Sequence, residues 1–131
     1  MTSTDSRRAD WFTSAARFAF TVALIFTLVM ALLPHPPRVP LDQLGDKFEH
    51  MTAFATLSLL ASLSFPRAGL WRIGERLSFL GALIEVMQAL PAVHRDCSIF
   101  DWLADTAAIA ATLAVVAAIR RARRGREMIA G

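Results

Sequence analysis

Val22–Met30 reads VALIFTLVM, and Thr112–Ile119 reads TLAVVAAI. Neither stretch shows the polar face, at the helical period, that marks a helix buried on one side only. Working outward, the first apolar segment runs from Phe18 to Leu33 and meets no charge until Arg38. The last runs from Asp101 to Ile119 and is uncharged after Asp105. Two more lie between them: about His50 to Phe65, and roughly Leu77 to Leu90, broken only by Glu85 and Gln88.

Composition points the same way. Of 131 residues, 55% are hydrophobic and 19% charged, against about 25% charged in an average soluble domain. Mean hydropathy is +0.45. A soluble domain of this size has too little interior for that much apolar surface. A disordered chain is excluded, and the lone Cys97 excludes an intramolecular disulfide or thiolate cluster.

The expected fold class is all-α: a polytopic membrane protein, a small bundle of four transmembrane helices. The expected spans are about 17–34, 48–66, 74–90 and 101–119, between a cytoplasmic N-terminal segment (1–16) and a basic tail (120–131). The uncharged cores are short of the roughly 20 residues that cross a bilayer. A soluble four-helix bundle is therefore the competing reading. A cleaved signal peptide is a weaker one, because Ala31-Leu-Leu-Pro-His-Pro-Pro lacks a small-x-small cleavage site.

Charge sets the expected orientation. The N-terminus, the second connection and the tail hold eleven of the 14 basic residues, leaving Arg38, Lys47 and Arg95 for the first and third connections. Basic loops stay cytoplasmic. The expectation is an inner-membrane protein of a bacterial cell, multi-pass, with both termini in the cytoplasm and the lipid bilayer as partner. The net charge of +3 is then a sorting of charge rather than a nucleic-acid footprint, and no nucleic acid is expected. Homo-oligomerisation, for example through the Ala-rich fourth segment, is compatible with four short helices.

That topology gathers the ionisable residues at one end. Asp46, Lys47 and His50 open the second segment, Glu85 and Gln88 lie near the end of the third, and Asp101 and Asp105 open the fourth. Asp46/His50 and Asp101/Asp105 are i,i+4 pairs and Glu85/Gln88 is i,i+3, so each pair shares a helix face. Arg95 sits on the short connection beside them. Glu85, six residues before Pro91, lies about 9 Å inside its helix end, a depth at which an acid needs a partner or a wet cavity.

The order Asp46-Lys47-x-x-His50-x-x-x-Phe54, then Ile84-Glu85-x-x-Gln88, then Arg95 and Asp101-Trp102-Leu103-Ala104-Asp105 resembles the VanZ-like membrane proteins. The similarity covers Asp46 to about Thr112, with Ala108 where that family usually has glycine. The resemblance implies a cell-envelope membrane protein, in a family named for a member linked to teicoplanin resistance and without an established activity.

Three chemistries fit the expected polar pocket of Asp46, Lys47, His50, Glu85, Gln88, Arg95, Asp101 and Asp105. The leading one is binding of an envelope lipid, peptidoglycan precursor or glycopeptide-type ligand, with Lys47 and Arg95 holding an anionic group. The second is an enzyme using His50 and Glu85 in acid–base steps. The third is a structural or assembly role. No nucleophile with a flanking motif is present, so enzymatic activity stays open. His50, Glu85, Asp101 and Asp105 have the right ligand types for a divalent metal, but one histidine within a segment is thin support, and no metal or other cofactor is expected.

Overall fold

A computed structural model describes residues 3–33, 45–93 and 98–130. Within them lie four helices: α1 (Ser3–Leu32), α2 (Asp46–Ser64), α3 (Leu70–Gln88) and α4 (Ile99–Ala130). The Pro34–Pro40 stretch, His35, His94 and Cys97 fall outside the described residues, as does Arg95.

Local chemistry sets the helix ends. Gly45, at φ 95, precedes α2 in a left-handed conformation that a side chain would strain. Phe65 N–H bonds to Ala61 O, and Pro66 then stops the helix. Pro91 follows the C-terminal turn of α3, where Ala89 N–H bonds to Glu85 O. Helices α1 and α4 run well past the apolar stretches that mark them in the sequence, because their flanking Ala, Arg, Glu and Met are themselves good helix formers.

Helix α1 packs on α2 and α3, and α4 packs on the same two from the other side; α1 and α4 make no contact among the described residues. Phe54 and Leu57 of α2, Ile73, Leu77 and Ile84 of α3, and Ile109 and Leu113 of α4 form the core. Gly81 lets α3 approach closely: a Cβ there would meet Phe54 Cζ at 3.3 Å and Trp102 Cδ1 at 3.5 Å. Three buried serines on α2, Ser58, Ser62 and Ser64, satisfy their hydroxyls on carbonyls of their own helix.

Side chains from neighbouring helices close the remaining helix ends. The last four carbonyls of a helix have no partner within it. Arg17 Nε donates to Ser64 O at 3.1 Å while its guanidinium lies over the Phe65 ring, and Arg120 Nη2 donates to Ser62 O at 2.8 Å. Both cations thus sit at the negative end of the α2 dipole. Gln88 Nε2 does the same for α1, donating to Ala31 O at 2.9 Å. Trp102 Nε1 donates to Ser78 O, and the Ser78 and Thr106 hydroxyls bond at 2.8 Å, tying α3 to α4.

This architecture retains the all-α four-helix expectation and corrects the polytopic membrane protein built on it. Two helices, over Arg7–Leu32 and Ile99–Ile129, are long and apolar enough to cross a membrane; among the described residues α2 and α3 are not. Part of the polar set expected as a pocket at the outer face is buried inside the bundle instead. Asp105, Gln88 and Glu85 are buried, and Asp105 faces His50 across the α2–α4 contact. With the four spans go the transmembrane-helix description, the lipid bilayer as partner and the inner-membrane location with cytoplasmic termini. The basic bias that supported that orientation has a local cause at Arg17 and Arg120, which cap α2. The chain is a four-helix bundle with an apolar core and a buried polar cluster at one end.

Leu57, with no exposed surface, tests the packing. Leu57→Ala is expected to lower the unfolding free energy by about 2–5 kcal/mol, read from urea titration with circular dichroism. A loss below about 1 kcal/mol would contradict a tightly packed α2 face.

Candidate functional site

The site lies where the first turns of α2 and α4 meet the last turns of α3. Helices α2 and α4 run in the same direction, so residues advancing along one advance along the other. Two contacts follow, one turn apart. Lys47 Nζ stands 3.3 Å from Asp101 Oδ1, and His50 Nδ1 stands 3.6 Å from Asp105 Oδ2. The outer pair is partly in water, with the Lys47 side chain 53% exposed. The inner pair is not: Asp105 is 1% exposed, and the His50 side chain 12%.

Glu85 enters from α3, and Ser98 N–H, at the start of α4, donates to its Oε2 at 2.8 Å. One ligand atom each from His50, Glu85 and Asp105 all lie within 4.8 Å of one another. Three helices therefore bring an imidazole and two carboxylates to one point inside the bundle.

Electrostatics at that point is dominated by burial. Desolvation pushes the Glu85 carboxyl above its ordinary value of 4.5, the Ser98 N–H and His50 pull it back, and Asp101 and Asp105 push it further up. A carboxylate is costly here unless a cation or hydrogen-bond donors face it.

The eight residues singled out in the sequence separate into groups. His50, Glu85 and Asp105 come together; Lys47 and Asp101 pair one turn outward. Gln88 turns away to the end of α1. Asp46 opens α2, but its side chain and Arg95 lie outside the described residues. Sequence reading missed the structural partners: Ser98, whose backbone amide holds Glu85, and the Ser78–Thr106–Trp102 cluster. Ser98 stands immediately before an apolar helix with Asp101 in its first turn, a helix-start signature that marks it as an anchor.

No protein-family model, no curated protein and no solved structure matches the chain. The geometry corrects the resemblance to the VanZ-like family: of its quoted residues, His50, Glu85 and Asp105 meet inside the bundle, while Gln88 serves the end of α1. The same placement overturns the reading of an outer-face pocket for an envelope lipid, peptidoglycan precursor or glycopeptide, and with it the cell-envelope and antibiotic-resistance associations. The physical reason is that the groups meant to hold such a ligand are engaged within the bundle. Lys47 faces Asp101, Gln88 bonds to α1, and Glu85 is held by Ser98.

The raised Glu85 value gives a signed prediction. The folded chain binds this proton more tightly than the unfolded chain, so the stability it contributes is present below about pH 4.5 and is lost as pH rises through the folded value. Glu85→Gln removes that loss. In chelator-containing buffer, the unfolding free energy of the variant relative to the parent should rise between pH 4 and pH 7. A difference independent of pH would contradict the buried, desolvated placement of Glu85.

Proposed function

We propose that His50, Glu85 and Asp105 bind one divalent cation, making this end of the bundle a metal-dependent or acid–base reaction centre. The observation that carries the reading is the convergence of the three donor atoms within 4.8 Å. Bond lengths to zinc of about 2.0–2.2 Å require each atom to move inward by less than about 1 Å, within the reach of side-chain rotation. A nitrogen and two carboxylate oxygens favour Zn²⁺, Mn²⁺ or Fe²⁺ over soft ions such as Cu⁺.

Charge supports the same reading. Two carboxylates at one buried point repel, and a divalent ion would neutralise both. Three protein ligands leave coordination positions for water or substrate, as catalytic sites do and closed structural sites do not. Such an ion would polarise a bound carbonyl or phosphoryl oxygen or lower the pKa of a bound water. The chain's own share is orientation. Asp105 fixes His50, Ser98 N–H fixes Glu85, and Lys47 with Asp101 borders the approach from solvent.

A second reading is acid–base chemistry by the same residues without a metal. It is favoured by the 3.6 Å approach of Asp105 to His50 Nδ1, which leaves the other ring nitrogen to accept or donate a proton.

The test is metal content and affinity. Protein stripped with chelator and dialysed against Zn²⁺ or Mn²⁺ should retain one equivalent, measured by plasma mass spectrometry. Asp105→Asn and Glu85→Gln, checked for folding by circular dichroism, should each weaken binding by more than the roughly 10–100-fold typical of outer-shell changes. Lys47→Met should leave stoichiometry unchanged. Binding no stronger than that of the double variant Asp105→Asn/Glu85→Gln would contradict the cation site and leave the metal-free acid–base reading.

A further inference from the structure

We infer that α1 is the dimerisation element of this protein, pairing antiparallel with α1 of a second copy. Trp11, Ala15, Phe18, Val22, Ile25 and Val29 recur at alternating spacings of four and three, the 3.5-residue repeat by which two helices interlock side chains. All six are exposed. They lie away from the α1 residues that meet the core, namely Phe20, Ala23, Leu24, Leu28 and Ala31.

The order of side-chain sizes selects the partner and its direction. In an antiparallel pair centred near Phe20, Trp11 faces Val29, Ala15 faces Ile25, and Phe18 faces Val22 of the second copy. Each larger side chain meets a smaller one, so a single register fills the whole seam. That is the self-complementarity a twofold interface requires. A parallel pair would instead set Phe18 against Phe18, Ala15 against Ala15 and Arg8 against Arg8. In the antiparallel register Arg8 falls beside the C-terminal end of the second copy's α1, where a cation is favoured by the helix dipole.

The exposed stripe supplies a substantial share of an interface. Aromatic side chains can each bury about 150–250 Å², and Trp11, Phe18 and the flanking Phe26 are 73%, 73% and 60% exposed. With the half-exposed Val22, Ile25 and Val29, the stripe offers several hundred Å² per copy. Standard stable interfaces use about 800 Å² per partner. The seam is about 27 Å long at 1.5 Å per residue.

A charge-exchange series tests the inference on the full chain by sedimentation velocity, with circular dichroism as the folding check. The parent should sediment at twice the 14.4 kDa chain mass. Ile25→Glu and Ala15→Lys alone should each weaken the dimer on the order of 100-fold, since each buries an unpaired charge in the seam. The double variant Ala15→Lys/Ile25→Glu should recover it, because only the antiparallel register sets Lys against Glu twice. A monomeric parent, singles that stay dimeric, or a double variant without recovery would overturn the inference. So would monomeric co-sedimentation of the parent with phosphatidylcholine vesicles, which would assign the stripe to lipid.

Discussion

The 3.6 Å approach of His50 to Asp105 is the constraint on which the rest of the bundle turns. A carboxylate that is 1% exposed is costly unless a cation or donors face it. Helix α2 presents His50 to Asp105 at the same depth. That fixes the axial register of α2 against α4, and Lys47 meets Asp101 one turn outward because the register is already set. Sliding either helix by one residue would separate both pairs and leave Asp105 facing apolar side chains. The third carboxylate, Glu85, reaches the same point because Ser98 N–H holds it and because Gly81 lets α3 approach Phe54 and Trp102 closely.

The other end of the bundle follows a different rule. There the last carbonyls of α2 are taken by Arg17 and Arg120 from other helices, while Gln88 takes the end of α1 at the same end as Glu85. Each of these contacts also joins two helices that are distant in sequence, so completing a helix end and choosing its neighbour are one event. The molecule therefore carries acidic groups with His50 at one end and arginines at the other. The second set satisfies carbonyl oxygens.

Much of this was legible in the sequence. Four helices and the shared face of Asp101/Asp105 follow from spacing and from backbone rules. What surrounds the helices was not. VALIFTLVM at Val22–Met30 is apolar on every face whether it meets lipid, core or another helix, and hydropathy does not distinguish these surroundings. The arginine bias was similarly ambiguous, because a cation that caps a neighbouring helix and one that marks a membrane face have the same place in the sequence. Gln88 was grouped with Glu85 by its i,i+3 spacing, yet its amide satisfies the end of α1, a partner 57 residues away. Local periodicity carries no signal of that kind.

X-ray absorption of the Zn²⁺-loaded full chain tests whether three helices converge their side chains on one cation. The expected result is a first shell of nitrogen and oxygen only, at about 2.0–2.2 Å, with scattering from one imidazole and no sulfur, lost in Asp105→Asn. A shell containing sulfur, which could come only from Cys97 or a methionine, or more than one imidazole would contradict it.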